Sequence, residues 1–202
     1  MNKIYHVCSL GNYCHSAYLL KRLQLKVCSY PFDWIFTNVH IIKHIIEDNY
    51  NIFLDKSYYK SIDYNRCSHL YYKESMFRHH NPLNINEYNY FIRCVNRFNE
   101  LLKFPSHKLF IIMYVNKTKT YKSIKKNIIM FNDFFKEYTN EYTLLVIYHT
   151  KQDEYYSKFK YFGNIHFLKL NTLSESDGKQ FMNENDNIFL DNIINNNYTF
   201  NL

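Results

Sequence analysis

The chain has 202 residues, 47% of them hydrophobic and 19% aromatic, so despite a mean hydropathy of −0.45 it carries enough apolar surface for a folded core and is excluded from the disordered class. Its 25 Lys and Arg against 18 Asp and Glu give a net charge of +7, which fits a solvated lysine surface and would mark a nucleic-acid footprint only if gathered on one face. Gly11, Gly163 and Gly178 lie too far apart for either G-x-G-x-x-G or G-x-x-x-x-G-K-[ST], which removes the glycine-rich phosphate cradles of most ATP and NAD enzymes.

In chain order, Lys3 to Cys8 reads as a short strand, Ser9 to Asn12 as a tight loop, and Tyr13 to Gln24 as a helix traced by Ala17, Leu20 and Gln24 and by Leu19 and Leu23. Pro31 biases Tyr30 to extended backbone and makes the stretch from Ser29 to Trp34 a rigid loop. Asn38 is placed to cap a helix carrying Val39, Ile42 and Ile46. Residues 49–83 show no period and are expected to be irregular, within a loop-rich insertion over about 28–83. Asn84 and Glu87 have the spacing of a capping box ahead of a long helix that runs to Lys103. The runs from Lys108 to Val115 and from Tyr142 to His149 are apolar throughout, as strands buried on both faces are. A helix over Tyr121 to Phe135 joins them, Ile165 to Leu170 is a further strand, and Asn187 to Ile194 is an amphipathic segment expected on the sheet edge.

Lys117, Lys119, Lys122, Lys125 and Lys126, and then Lys151, Lys158 and Lys160, both read as polar helix faces. The alternation predicts one α/β domain spanning 1–202, with a mainly parallel, Rossmann-like sheet of about four to five strands and helices on both faces.

Five cysteines without a C-x-x-C pair or zinc-ligand spacing are expected to be reduced, in an intracellular compartment such as the cytoplasm, with no metal and no cofactor. No run approaches the length of a membrane span, and no membrane partner is expected. In open α/β sheets ligands bind beyond the carboxyl ends of the strands, which points to Ser9 to Cys14, Asn116, and His149 with Thr150. Cys14 falls at the start of a helix, where orphan N–H groups favour a thiolate. A nucleophilic cysteine needs a base, and the adjacent His79, His80 and Asn81 offer one, with His149 as a strand-end alternative. Asp33, held among aromatics, must be paired, either with a histidine it orients or with its own turn. Ser9, Gly11, Asn12, His80, Asn81, Arg97, Asn116 and His149 make up the expected substrate-binding set, Arg97 sharing a helix face with Arg93.

Several motifs together resemble one family: Ser9-Leu10-Gly11-x-x-Cys14, Leu20-Lys21-Arg22, Ser29-Tyr30-Pro31-Phe32-Asp33-Trp34, Phe77-x-His79, Arg93-x-x-x-Arg97-Phe98 and the Leu109-Phe110 strand. They look like the putative papain-like cysteine peptidases, a family of unknown function found in bacteria and large DNA viruses. The resemblance implies Cys14 as nucleophile, His79 as general base and Asp33 as orienter. Many relatives carry an acidic residue after that histidine, where this chain has His80. A papain-like protease packs its cysteine helix on an antiparallel barrel, whereas the alternation here predicts a parallel sheet, on which a Cys-His pair can also serve acyl transfer or ester hydrolysis. The leading expectation is a cysteine hydrolase acting on a peptide or other carbonyl compound. One alternative is a transferase holding a sugar or nucleotide donor through Ser9 to Asn12 and Arg97, with Cys14 structural. The other is a non-enzymatic protein that binds nucleic acid or a protein partner through its basic, aromatic surface.

Overall fold

The computed structural model describes residues 3–117 and 121–202. Lys119 of the first lysine cluster lies outside the described residues. The elements are β1 (His6–Ser9), α1 (His15–Arg22), α2 (Val39–Glu47), α3 (Asn51–Leu54), a 3-10 turn (Lys56–Tyr58), β2 (Tyr59–Ser61), β3 (Cys67–His69), β4 (Lys73–Phe77), α4 (Ile85–Lys103), β5 (Lys108–Tyr114), α5 (Tyr121–Phe135), β6 (Tyr142–Lys151), β7 (Tyr156–Phe162), β8 (Ile165–Thr172) and α6 (Glu184–Asn197).

Five strands form one sheet in the order β1-β5-β6-β8-β7, parallel except for β7, and β2-β3-β4 form a separate antiparallel sheet. The apolar runs read in the sequence are the central strands, and their side chains divide with the period of two that a strand imposes. Phe110, Ile112, Tyr114, Leu144 and Val146 face a core shared with α2, α4, α5 and the small sheet. Leu109, Ile111, Met113, Leu145 and Ile147 face a second core, closed by Leu19 and Leu20 of α1 and by Leu190, Ile193 and Ile194 of α6. The last helix therefore covers a sheet face; it does not lie on the edge.

Two further expectations are corrected. Residues 49–83 are not irregular, since they hold α3, the 3-10 turn and the three-stranded sheet. Those strands are only three to five residues long and are packed by rings, with His69 stacked between Tyr58 at 5.8 Å and Phe53 at 6.5 Å, so they leave no hydrophobic period to read. Lys158 and Lys160 sit on strand β7, not on a helix, and Lys151 ends β6. No helix links β6 to the strand parallel to it. The chain runs back along β7 and returns through a hairpin as β8, which inserts between the two.

Capping follows the sequence signals in part. The Asn38 side chain accepts the N–H groups of His40 and Ile41, and that of Asn84 accepts the N–H of Asn86. Glu87 does not complete a capping box: its carboxylate pairs with His80, while the Asn84 N–H donates to the Asn81 carbonyl at 2.9 Å.

The turn between β1 and α1 depends on Gly11. Its φ is +74°, and a Cβ there would stand 2.5 Å from Thr37 Oγ1 and 2.8 Å from the Phe32 carbonyl oxygen. Gly11→Ala should therefore cost at least about 2 kcal/mol, combining left-handed strain with an overlap against backbone. Urea unfolding measures this; Gly163→Ala, at a position where nothing lies within 4 Å of the added carbon, serves as the comparison that carries strain alone.

Candidate functional site

The loops after β1, β5 and β8 meet beyond the carboxyl ends of the parallel strands. The chain leaves β1 through a tight hydrogen-bonded turn. Ser9 Oγ lies 2.7 Å from Ser16 Oγ and accepts the Gly11 N–H at 3.2 Å, the Asn12 N–H donates to Thr37 Oγ1 at 3.2 Å, and Asn12 Nδ2 donates to the Met113 carbonyl at 3.0 Å. Ser9, Gly11 and Asn12, expected as substrate contacts, thus spend their polar groups inside the fold. The Leu10 N–H is likewise taken, by the Ile111 carbonyl at 2.9 Å. The amide of Tyr13 has no such acceptor among the described residues, and that of Cys14 faces its own thiol.

Cys14 is the residue that caps α1, with φ −65° and ψ −14° and no side-chain cap bond. It is only 4% exposed. Burial pushes its thiol up to about 11, against the smaller lowering effects of its own backbone N–H, Lys179 and Arg78. The helix start alone would favour a thiolate, but desolvation of the charged form outweighs it here.

Asp33 is 1% exposed and is paired with Lys26, and its Oδ2 also accepts the Tyr30 N–H at 2.9 Å. No imidazole is among its hydrogen-bond partners. Its Oδ1 is buried with no partner, and burial raises the carboxyl above its ordinary value in spite of Lys26. Lys26 also donates to the Cys28 carbonyl at 3.0 Å, so the pair ties the two ends of the Pro31 loop together.

His79 is exposed, beside Arg78 and the loop of Asp63 to Arg66. Its pKa is lowered by partial desolvation and by the nearby His80, Arg78 and Lys179, which keeps the ring neutral at pH 7. Arg78 and Lys179 also act on Cys14, so thiol and imidazole share two cationic neighbours. His80 pairs with Glu87 and stacks on Tyr90 at 5.0 Å. Asn81 donates to the carbonyls of Asp63 and Tyr64 at 3.2 and 3.3 Å. Arg97 is exposed on α4, and its charge lowers the pKa of Cys94 against the larger effect of burial.

His149 is fully buried, with both ring nitrogens engaged. Nδ1 accepts the Asn116 N–H at 3.2 Å, so Nε2 carries the proton and donates to Thr172 Oγ1 at 2.8 Å, whose hydroxyl continues to the Ser174 carbonyl at 2.9 Å. Asn116 clamps Ser176 from both sides, Nδ2 to its carbonyl at 2.7 Å and Oδ1 from its N–H at 2.8 Å. His15, which the sequence reading passed over although it follows Cys14, is buried with Nδ1 2.7 Å from Ser176 Oγ and Nε2 unpartnered. Both rings pack on Phe181, at 4.7 and 4.5 Å. The segment from Ser176 to Phe181 is thereby fastened over the start of α1, with Lys179 above the Tyr18 ring at 4.7 Å.

Around this mouth lie Lys73, Arg78, Lys117 and Lys179. Lys73 and Arg78 sit over the Phe36 ring at 5.7 and 5.2 Å and Lys117 over Tyr13 at 5.6 Å, while Tyr13 and Phe36 meet edge to face at 5.4 Å. None of the four pairs with a carboxylate among the described residues. Arg78 and Lys117 in turn lower the pKa of Lys73, after desolvation. Lys179 and Arg78 were absent from the expected site; only the cation excess signalled them. All five cysteines are free thiols, the described residues hold no group of three or more His, Cys, Asp or Glu that could bind a metal, and no described helix is long and apolar enough to cross a membrane.

A family model described as "putative papain-like cysteine peptidase" matches residues 5–152. No curated protein and no solved structure matches the chain.

Two outcomes follow for the buried groups. Burial lowers His15 to about 3 and His149 to about 4 from 6.5. The unfolded chain protonates both below about 6.5 while the folded one does not, so stability is full above that pH and falls as pH drops toward 4, by about 1.4 kcal/mol per unit for each ring. Urea unfolding at pH 7, 6 and 5 checks the slope, to which the partly buried His6, His69, His107 and His166 add in the same direction; His149→Gln should reduce it by about 1.4 kcal/mol per unit. Asp33→Asn leaves the partly buried Lys26 without its counter-charge and should cost about 2–4 kcal/mol by the same assay, with much of it recovered in Lys26→Met/Asp33→Asn.

Proposed function

We propose, from the premise that this chain belongs to the family of putative papain-like cysteine peptidases, that it is a cysteine hydrolase or acyl transferase with Cys14 as nucleophile and His79 as base. The observation that carries this reading is that Cys14, at the head of α1, and the neutral His79 lie within the field of the same two cations, Arg78 and Lys179. In the ligand-free protein the thiol is protonated. Displacement of the Ser176 to Phe181 segment admits the substrate, and the 78–81 segment brings the imidazole to the thiol. The sulfur then attacks a carbonyl carbon as its proton passes to the ring, the tetrahedral oxyanion takes the N–H groups of Tyr13 and Cys14, and the imidazolium returns the proton to the leaving group. Water, activated by the same ring, releases the acyl group. Asp33 acts by holding the Pro31 loop through Lys26. The unpaired cations Lys73, Arg78, Lys117 and Lys179 select acyl substrates that carry negative charge.

Burial of Cys14 favours a second reading, in which the thiol only packs and the cationic mouth holds an anionic group-transfer donor.

Acyl transfer to Cys14 separates the two. Incubation with p-nitrophenyl acetate followed by peptide mapping should find the acetyl group on Cys14, with the rate rising as pH is raised toward 11, and should find it slowed by about 10² or more in His79→Ala. Acetylation confined to the more exposed Cys28, or an identical rate at Cys14 in the histidine variant, would sink the dyad.

A further inference from the structure

A cavity of about 280 Å³ opens on the sheet, away from Cys14, lined by Tyr121, Tyr148, Tyr156, Lys158, Lys160 and Lys169. Strand geometry makes it. Tyr148, Lys169 and Lys158 stand in one row across β6, β8 and β7, and Val146, Phe167 and Lys160 in the next row on the same face. Tyr121, the first residue of α5, meets Tyr148 edge to face at 5.4 Å and Phe167 at 6.0 Å and forms one wall. Lys169 lies over the Tyr156 ring at 5.4 Å, and Lys125 adds a further cation 5.9 Å from the Phe167 ring.

Lys158 and Lys169 are directly opposite in the antiparallel β7–β8 pair, an arrangement of like charges that destabilises a sheet. No carboxylate pairs with Lys125, Lys158, Lys160 or Lys169 among the described residues. The fold thus keeps this like-charge pair, without a carboxylate partner, beside the Tyr121 ring and at a concave place walled by rings. A bound dianion would relieve it, and a planar heterocycle would find ring faces beside it.

We infer that this cavity binds a nucleotide, its phosphates on Lys158, Lys160 and Lys169 and its base against Tyr156 and Tyr121. Binding uses side-chain ammonium groups in place of the glycine-rich backbone cradle that the sequence lacks, and it is independent of the chemistry assigned to Cys14.

Calorimetric titration of the full chain with ADP, pyrophosphate, adenosine and an eight-residue oligothymidylate tests it. One ADP should bind per chain, at least about tenfold tighter than either pyrophosphate or adenosine. Lys158→Gln/Lys169→Gln should weaken ADP by about tenfold or more, with the melting temperature unchanged or raised because the repulsion is gone. Lys158→Glu, which creates an ion pair with Lys169, should raise the melting temperature and abolish binding. Tyr156→Ala should weaken ADP several-fold and leave pyrophosphate unchanged. Failure of ADP to bind, equal affinity in the double variant, or pyrophosphate binding as tightly as ADP would overturn the inference. So would tighter binding of the oligothymidylate with a salt dependence of several phosphates, which would assign the cavity to a polynucleotide.

Discussion

The close approach of two backbone segments at Gly11 organises this molecule. With no side chain there, the 29–37 loop crosses directly over the β1–α1 turn, and Thr37 Oγ1 receives the Asn12 N–H. The same loop passes the constraint on: the Phe36 N–H donates to the Met76 carbonyl in β4, and Phe32, wholly buried, meets Phe98 of α4 edge to face at 5.3 Å. Since β4 leads into Arg78 and His79, one missing methyl group sets where the cysteine turn stands relative to the histidine segment.

A second constraint acts from the far end of the sequence. Ser176 is held by Asn116 and by His15, and Phe181 by the rings of His15 and His149. This buried polar group is nearly satisfied, which gives it rigidity, and the exception is His15 Nε2. The group joins the start of α1 to a loop about 160 residues away in the chain, whereas the positive helix end that favours a thiolate is local, and at Cys14 burial outweighs it.

That difference in range also marks what the sequence made legible. The runs KLFIIMYV and YTLLVIYH declare strands buried on both faces, and Asn38 and Asn84 declare helix starts, because each signal is contained within a few residues. β7 was legible too, since Tyr156, Lys158 and Lys160 alternate with Ser157, Phe159 and Tyr161, but the lysine spacing was read as a helix face. The partner of Asp33 was also within reach, as Lys26 is the one cation between Leu23 and Thr37. In contrast, the engagement of His149, the burial of Cys14 and the cationic mouth all arise from long-range pairing, which no local pattern encodes. The short strands of residues 59–77 failed for another reason, as ring stacking holds them and leaves no alternation to detect.

The insertion of β8 between β6 and β7 has a consequence for how the chain is made. Synthesis delivers β1, β5 and β6 first, and until residues 165–172 emerge β6 lacks its eight backbone partners on β8, while the core that holds Leu145 and Ile147 still lacks α6. The segment matched by the family model ends at residue 152, so it stops at that unfinished edge. A nascent chain of that length exposes the surfaces on which strands of different molecules pair.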